Sequence, residues 1–297
     1  MSLSSRPLIF NLYKPPGVTS YDVIRKLKKL FPQRPKKVGH FGTLDPFAQG
    51  VLLIGVNGAT RLNEYIHEMC PKTYLAKGIL GQETETGDMT SEISQKDESE
   101  YFYKEISRFS LEFIEEKLRT QFLGEYWQEP HKFSASKFEG RKLYEYAREG
   151  IEVKKEKKRR EIYNLRVKNF EFPLLDIEFS VSSGTFIRTL FSDCARYLGT
   201  LGVLEGLIRT KIGSVEMSDD PIEDYLRNSV DLKKLLGFSE ICLEEELVTR
   251  IKLGNFVTKG EFSAPEGEFF WISDEQGKLE ALGKIDEEGA LRPTINF

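Results

Sequence analysis

The sequence predicts an α+β fold, in which strands and helices are mixed along the chain. Apolar residues alternate in some segments, as in half-buried strands, and recur every three or four residues in others, as in amphipathic helices. The two kinds of segment follow one another without the regular strand–helix–strand alternation of a doubly wound protein. A chain of 297 residues with 39% hydrophobic residues is long enough to bury a substantial core, in one large domain or two.

The first elements are a strand, a turn and a helix. Apolar residues over 8–13 predict the strand, and Lys-Pro-Pro-Gly at 14–17 predicts the turn. The helix should begin at Thr19 or Ser20, because both side chains favour the N-cap, and Asp22 lies in its first turn. Its apolar face consists of Val23, Ile24, Leu27, Leu30 and Phe31. The basic residues between them should therefore face solvent.

Further elements follow in irregular order. Alternating apolar residues predict a strand over 74–80, and Ser110 is the expected N-cap of a helix over 111–122. A short helix is expected over 141–148, between two glycines. Three strands and one helix complete this part of the chain, at residues 162–167, 170–172, 175–181 and 184–198.

The composition changes near residue 240. Residues 240–297 contain 13 acidic and 6 basic residues, a charge of −7, so that the first 239 residues carry +3 of the total of −4. A helix over 243–252 and strands near 269–272, 279–284 and 291–293 are expected in this segment. We therefore expect two domains, at residues 1–239 and 240–297.

Several classes of protein are not favoured by the sequence. Apolar runs stay well below the roughly 18 residues of a membrane span, and the N-terminal residues do not have the pattern of a signal peptide, so we expect a cytoplasmic protein without membrane contact. Cys70, Cys194 and Cys242 are far apart and suggest neither a disulfide framework nor a metal site.

The most informative segment is residues 39–50, which read Gly-His-Phe-Gly-Thr-Leu-Asp-Pro-Phe-Ala-Gln-Gly. Pro46 pushes Asp45 toward extended geometry, while Gly42 and Gly50 permit backbone angles and close approaches that a side chain would block. The pattern predicts a carboxylate presented on a rigid turn before an apolar strand. The alternative interpretation is a Gly/Pro turn in which Asp45 only caps the local backbone.

Two basic clusters lie in the first 239 residues. They are Arg25, Lys26, Lys28, Lys29, Arg34, Lys36 and Lys37, and the run at 154–160. Each cluster has enough charge to neutralise several phosphates, although a solvated helix face and a charged linker would have the same composition. The first cluster directly precedes the segment that contains Asp45.

The segment around Asp45 resembles the catalytic motif of the TruB family of tRNA pseudouridine synthases. The other motifs that carry the resemblance lie at residues 14–20, 72–74, 80–88, 134–150 and 182–190. The resemblance implies a mixed, largely antiparallel sheet flanked by helices in a catalytic domain at 1–239, with a thumb insertion at about 128–155. Residues 240–297 are similar to the small PUA-like β domain found in members of the same family.

The resemblance also implies a reaction. The N1 glycosidic bond of the T-loop uridine of tRNA is cut, the uracil turns, and C5 joins the same ribose carbon. The protein would act on the T-stem-loop of tRNA as a monomer, with no guide RNA, no cofactor and no metal. A carboxylate suits this chemistry, because C1′ becomes electron-poor as the base departs.

By resemblance, Asp45 and Arg188 are catalytic, and the guanidinium keeps the carboxylate ionised. Tyr74 would lie against the uracil and relay the proton of C5, and His40 would fill the space of the flipped nucleotide. The other residues expected to bind substrate are Lys14, Gly42, Thr43, Leu44, Phe186 and Leu207. The local sequence alone fits equally a surface arginine at 188 and favours a core aromatic at 74 and an ordinary histidine at 40.

The sequence departs from the family pattern at Phe41, Ser183, Phe186 and Ile208, and at residues 128–132 near the thumb. Many relatives have a small polar residue at 41, lysine at 183, tyrosine at 186 and arginine at 208. The reaction type is unaffected, whereas the missing lysine and arginine should weaken contacts with phosphate, and the entry to the thumb should differ from the family's.

Two alternative functions remain open from the sequence. One is a tRNA-folding chaperone of the same fold, in which turnover is incidental. The other is a glycoside hydrolase, which requires two carboxylates about 5 to 10 Å apart. The segment around Asp45 offers no obvious second acid, and Arg188 argues against one.

Overall fold

The computed structural model describes residues 7–129, 137–138, 140–142, 146, 149, 151, 153, 156–218 and 220–297. Its strands are β1 Leu8–Lys14, β2 Val38–His40, β3 Gln49–Val56, β4 Lys72–Leu80, β5 Gln82–Thr84, β6 Ile93–Lys96, β7 Gly124–Gln128, β8 Lys137–Phe138, β9 Arg141–Lys142, β10 Lys158–Glu171, β11 Leu174–Val181, β12 Gly202–Ile212, β13 Val215–Glu216, β14 Ser229–Val230, β15 Ser239–Leu243, β16 Phe269–Asp274, β17 Leu279–Ile285 and β18 Leu291–Asn296. Its α-helices are α1 Ser20–Leu30, α2 Asn63–Met69, α3 Glu100–Lys104, α4 Leu111–Phe122, α5 Ile187–Leu198, α6 Leu232–Leu236 and α7 Glu245–Lys252. Short 3-10 helices occupy Asn57–Leu62, Ile106–Arg108 and Ile222–Asp224.

A ten-stranded sheet forms the centre of the larger part of the chain. Its strands run in the order β14-β1-β3-β12-β4-β11-β10-β7, with β13 beside β12 and β2 beside β3. The described neighbours pair antiparallel, except that β3 and β12 are parallel. The predicted α+β fold with a mixed, largely antiparallel sheet is therefore confirmed.

The position of β12 between β3 and β4 creates the setting for a site. Arg209 of β12 lies opposite Gly50 of β3 on one side and Tyr74 of β4 on the other. These three residues are far apart in the sequence, so the pairing is a product of topology. It brings the loop before β3 next to the beginning of β4.

Helix α1 begins as the sequence predicts. The Thr19 backbone N–H donates to the Asp22 carboxylate, and the Asp22 N–H donates to Thr19 Oγ1 at 3.1 Å, which makes a complete capping box. The helix packs its apolar face against β1 and β3, although Leu30 is only half-buried. Arg25, Lys26 and Lys29 are exposed, as expected for the solvent face.

On another part of the sheet, α4 and α5 cover strands β4, β10, β11 and β12 in one large apolar cluster. The Ser110 hydroxyl accepts a hydrogen bond from the Phe113 N–H at 3.1 Å, so the predicted N-cap of α4 is confirmed. Helix α5 begins at Ile187 rather than Gly184, because Gly184 has a φ of +80° and Phe186 is still extended. Arg188 thus lies in the first turn of α5.

The C-terminal residues form a four-stranded sheet in the order β15-β16-β17-β18, with α7 packed on it. The predicted strands are present, but α7 begins at Glu245 because Leu243 still belongs to β15. The other face of this sheet joins an apolar cluster with the larger part of the chain. That cluster contains Trp271, Leu282 and Ile295 together with Ile9 and Phe41.

Two local predictions and one alternative interpretation are corrected by the structure. Residues 170–172 do not form a separate strand, since Phe170 and Glu171 end the long strand β10 and a turn follows. The alternative interpretation of the basic run at 154–160 as a charged linker does not hold for residues 158–160, which begin β10. The helix predicted over 141–148 is wrong at its start, where Arg141–Lys142 pairs with β8, and most of its remaining residues lie outside the described part, as does most of the predicted thumb.

Candidate active site

The Asp45 loop, residues 41–48, connects β2 to β3. Gly42 within the loop and Gly50 just after it have positive φ angles, +122° and +113°. A Cβ at Gly50 would lie 2.2 Å from the carbonyl oxygen of Arg209, so the close approach of β12 requires glycine there. The sequence-based prediction of a constrained turn followed by a buried strand is confirmed.

Asp45 and Arg188 form an ion pair in this loop. Arg188 Nε lies 3.0 Å from Asp45 Oδ2. The Arg188 side chain is only 6% exposed, whereas the Asp45 side chain is 36% exposed. The arginine is thus part of the interior, and the carboxylate that it holds is half-buried.

Asp88 is a second carboxylate on the same guanidinium, and the sequence analysis assigned it no role. Arg188 Nη1 lies 3.2 Å from Asp88 Oδ2 and donates to the Thr86 carbonyl at 2.7 Å. Asp88 also accepts hydrogen bonds from Thr86 Oγ1 and from the N–H and hydroxyl of Thr90. Its place in the motif at 80–88 was the only signal for it in the sequence.

The two carboxylates do not form the acid pair of a glycoside hydrolase. Asp88 is 5% exposed at its side chain and is occupied by Arg188, Thr86 and Thr90. A general acid must instead reach the leaving group with a proton. The structure therefore favours a positioning role for Asp88, which orients Arg188 toward Asp45.

The charge state of Asp45 depends on opposing effects. Burial raises the pKa of the Asp45 carboxyl, the Arg188 guanidinium lowers it, and the Asp88 charge raises it again, with the result above the ordinary value of 3.8. Arg188 is thus the strongest of the groups that favour the anionic form of Asp45. The expectation that a guanidinium opposes the cost of enclosing the carboxylate agrees with this geometry.

Lys14 is completely buried beneath the loop. Its ammonium group donates to the carbonyl oxygens of Pro15 at 2.9 Å, Val18 at 2.7 Å and Pro46 at 3.2 Å. Burial lowers the pKa of Lys14 to about 8, although the nearby Asp45 charge opposes the change. These bonds fasten the turn after β1 to the Asp45 loop.

Ser20 and Arg209 fix the same loop from two other elements. The Ser20 hydroxyl, at the start of α1, bonds to the backbone N–H and C=O of Leu44 at 3.0 and 3.1 Å. Arg209 is fully buried and donates to the carbonyls of Gly42 at 3.1 Å and Thr43 at 3.4 Å. The turn that presents Asp45 is therefore held from β1, α1 and β12.

The predicted apolar wall lies beside this turn. Leu44, Tyr74 and Leu207 belong to one buried cluster, and each is at most 7% exposed. The Arg209 guanidinium carbon lies 6.0 Å from the centroid of the Tyr74 ring. Phe186 is half-buried, and its backbone exchanges two hydrogen bonds with the Gln128 side chain, at 2.8 and 2.9 Å.

His40 directly precedes the Asp45 loop, and Thr43 lies within it. His40 ends β2 opposite Ile54 and is half-buried, and burial with the Arg209 charge lowers the pKa of its imidazole. Thr43 is exposed. The structure brings Asp45 and Arg188 into direct contact and places Leu44, Tyr74 and Leu207 in one cluster. His40 belongs to neither group, and the charge that acts on its imidazole is that of Arg209.

Within the described ranges, neither a metal-binding group of three or more His, Cys, Asp or Glu side chains nor a helix long and apolar enough to cross a membrane is found. The arrangement is a carboxylate fixed by a buried arginine beside an apolar cluster. Such a group is suited to stabilise or attack an electron-poor carbon without moving first.

Solved structures with the same fold are known. The chain matches one in a "Cbf5-Nop10-Gar1 Complex" with a TM-score of 0.68 and 22% identity, covering 98% of this chain and 84% of that one. It also matches a "Structure of H/ACA RNP bound to a substrate RNA containing 2'-deoxyuridine", with a TM-score of 0.67 and 20% identity over 98% and 84% of the two chains. These likenesses define the fold class.

Sequence comparison is more specific. Residues 28–187 match the model of the TruB family pseudouridylate synthase N-terminal domain. A protein of Clostridium kluyveri named tRNA pseudouridine synthase B is 38% identical over 253 residues, 83% of each chain. A protein of Thermotoga maritima with the same name is 33% identical over 294 residues, 95% of this chain and 91% of that one. The chain belongs to the TruB family of pseudouridylate synthases.

Proposed function

We propose that this protein isomerises uridine to pseudouridine in the T-loop of tRNA. The observation that carries the proposal is the ion pair between Arg188 and Asp45, in which a half-buried carboxylate is held by a buried guanidinium. Relatives that match most of the chain are named tRNA pseudouridine synthase B, which supports tRNA as the substrate.

In the proposed reaction, the N1–C1′ bond breaks and its electron pair stays on the uracil. The uracil turns, C5 bonds to C1′, and the C5 proton is lost while N1 gains one, so that the product is an isomer. Asp45 either bonds to C1′ and is displaced by C5, or takes the C2′ proton and later returns it. Both routes require an ionised Asp45, and Arg188 favours that form.

The apolar cluster supplies the proposed binding pocket for the base. Tyr74 would lie against the uracil and relay the proton from C5, with Leu44, Leu207 and Phe186 as walls. His40 would occupy the space left in the RNA by the flipped nucleotide. Gly42 and Thr43 would contact the RNA through the surface of the loop.

Lys14 would act differently from the other predicted substrate-binding residues. All three of its donors engage carbonyls, and its side chain is enclosed. We therefore assign it to positioning the Asp45 loop. A point charge beneath the loop also favours the anionic form of Asp45.

The outer face of α1 and the residues after it supply a surface for the RNA backbone. Arg25 and Lys26 are paired with Asp22 and Glu223. Lys29, Arg34, Lys36 and Lys37 are exposed and have no carboxylate within ion-pair distance among the described residues. Because this chain carries its own basic surface, we propose that it acts alone, without a guide RNA. We also propose that it is a cytoplasmic monomer. Its proposed domains are a catalytic domain at 1–239 and a PUA-like domain at 240–297.

The test compares the wild type with Asp45→Asn on an unmodified tRNA transcript, with position-resolved detection of pseudouridine. We expect product at the T-loop uridine with the wild type, and a loss of at least about a thousandfold in rate with Asp45→Asn. Binding of tRNA should change by less than about threefold, since the substitution preserves shape. Asp176→Asn is the control, because burial also raises the pKa of that carboxyl but it lies on β11.

Two results would overturn the proposal. A wild type that binds tRNA tightly but forms no pseudouridine would favour the chaperone. Full activity in Asp45→Asn would remove the carboxylate from the mechanism.

A further inference from the structure

Lys72 is a buried cation that the proposed mechanism does not use. It begins β4 and is only 3% exposed. In the described part of the chain, its only side-chain hydrogen bond is from Nζ to the Ser183 hydroxyl. Lysines are rarely buried without a paired carboxylate, because removing an ammonium from water costs several kcal/mol.

The groups that face Lys72 do not compensate its charge. Arg209 of β12 is fully buried, and its guanidinium donates hydrogen bonds to the carbonyls of Gly42, Thr43 and Val51. His67 of α2 and Cys70 are the other titratable neighbours, and burial raises the pKa of the Cys70 thiol, which keeps it neutral. Among the described residues, neither Lys72 nor Arg209 forms an ion pair with a carboxylate.

Burial, together with the Arg209 charge, lowers the pKa of Lys72 to about 8. At neutral pH the ammonium is therefore still charged, and the local excess is two positive charges. An excess of this size inside a protein is a cost to folding that an anionic ligand removes.

The excess charge lies directly beneath the reactive loop. A Cβ at Gly42 would be 3.2 Å from Lys72 Cε, 4.0 Å from Lys72 Nζ and 3.6 Å from Arg209 Nη1. Gly42 and Ser183 are both half-buried, so together they cover the ammonium at the surface. Gly42 precedes Asp45 by three residues and Ser183 precedes Arg188 by five, so the covering residues adjoin the catalytic pair.

A second cation approaches Ser183 from β10. Arg160 Nη1 donates to the Ser183 carbonyl at 3.1 Å. Its Nε is buried and has no hydrogen-bond partner among the described residues. A Cβ at Gly184 would lie 3.1 Å from the Arg160 guanidinium, so a glycine leaves the guanidinium accessible beside Ser183.

We propose that Lys72 and Ser183 form a phosphate subsite, which binds a phosphodiester group of the RNA next to the nucleotide that lies on Asp45. The ammonium supplies charge, the Ser183 hydroxyl supplies a donor once Lys72 turns to the phosphate, and Arg160 holds the Ser183 backbone. The inference rests on the proposed function, because it assumes that RNA occupies the Asp45 loop. The phosphate then supplies the negative charge that the protein lacks on this side of the loop.

The test is a binding cycle with a T-stem-loop RNA in which each phosphate flanking the target uridine is replaced in turn by a neutral methylphosphonate. It uses Lys72→Met and unchanged Lys72, both in the Asp45→Asn background so that the RNA is not converted. Lys77→Met is the matched control, since Lys77 lies on the same strand and is exposed.

We expect Lys72→Met to weaken binding about tenfold and to reduce the salt slope by about one. One methylphosphonate should weaken binding to the protein with Lys72 by a similar factor and should have no further effect on Lys72→Met. Lys77→Met should bind as the parent protein does. If Lys72 acted in folding alone, Lys72→Met would not change the effect of any single methylphosphonate on binding.

Unchanged affinity in Lys72→Met, or equal methylphosphonate losses with and without Lys72 at every position, would overturn the inference. If Lys72→Met does not fold, Ser183→Ala takes its place in the cycle, with the same expected coupling. Inorganic phosphate is tested separately by thermal shift, and stabilisation that requires Lys72 without any methylphosphonate effect would also overturn the RNA assignment. Conversion of the unmodified RNA by the wild type is measured independently, so failure of the subsite and failure of the proposed function give different results.

Discussion

The two sides of the Asp45 loop bury charge in opposite ways. On the side of α5, Arg188 lies between Asp45 and Asp88, so two carboxylates share one guanidinium. On the side of β4, Lys72 and Arg209 lie together, and no described carboxylate pairs with either of them. The first side is complete without a ligand, whereas the second has a charge that no carboxylate among the described residues balances.

This difference separates chemistry from recognition. Groups that stabilise a transition state work best when they are already in place, and the bonds from Asp88 and Thr86 hold Arg188 before any substrate arrives. A buried cation that binds a phosphate must instead stay without a paired carboxylate while no RNA is bound, which is unfavourable. The loop is therefore organised for reaction on one side and for an anionic partner on the other.

The largest effect is expected from Arg188→Gln, which removes the guanidinium that the two carboxylates share. Asp45 and Asp88 would then face each other without the shared cation, and we expect kcat to fall about a thousandfold. The pKa of Asp45 should rise further, because burial and the Asp88 charge remain while the opposing charge is gone. Single-turnover rates across pH should show the acidic limb moved to higher pH.

Arg196→Gln is the control for this prediction. It lies on the same helix, is 53% exposed, and pairs with Glu83 at the surface. Its loss should leave kcat unchanged. A comparable loss of activity in both variants would mean that the effect of Arg188→Gln comes from the helix and not from the ion pair.

The sequence predicts much of this loop because its signals are local. The Thr19 cap of α1, the glycines and proline around Asp45, and the buried strand after them depend on neighbouring residues. The contact between Asp45 and Arg188 was expected only from the family resemblance, since the two residues come from distant segments. Composition and periodicity alone did not bring them together.

The rest of the site depends on non-local pairing. Nothing near Arg209 in the sequence indicates that β12 inserts between β3 and β4, which places its guanidinium under the Asp45 loop. A signal for Lys72 did exist, because it lies two residues before Tyr74 and shares the phase of the buried face of β4. Because lysine is usually exposed, that phase was not enough to predict a buried Lys72.

The buried charge of Lys72 can be tested by the pH dependence of the free energy of unfolding. Between about pH 8 and pH 10.5 an unfolded Lys72 keeps its proton and the buried one has lost it, so the unfolded state binds more protons there. The free energy of unfolding of the wild type should therefore rise with pH relative to Lys72→Met, by up to about 3 kcal/mol across this window. Below pH 8 the methionine variant should be the more stable protein.

Denaturant unfolding at a series of pH values measures this difference. Lys14 has a similarly lowered pKa but is present in both proteins, so its contribution cancels. A difference in stability that does not change with pH would show that the charge of Lys72 is already balanced in the folded protein.

The smallest effect is expected from Asp88→Asn, which removes the charge of the second carboxylate on Arg188. The asparagine side chain would keep a hydrogen bond to Arg188 but not the charge, so the guanidinium should stay near Asp45 with less restraint, and kcat should fall about tenfold. Because the Asp88 charge raises the pKa of Asp45, its removal should lower that pKa and move the acidic limb of the rate profile to lower pH. This is opposite to the shift expected for Arg188→Gln, and KM for tRNA should stay the same because Asp88 is enclosed. An acidic limb that moves to higher pH, or a loss confined to KM, would contradict a positioning role for Asp88 and would mean that this side of the loop also takes part in holding the RNA.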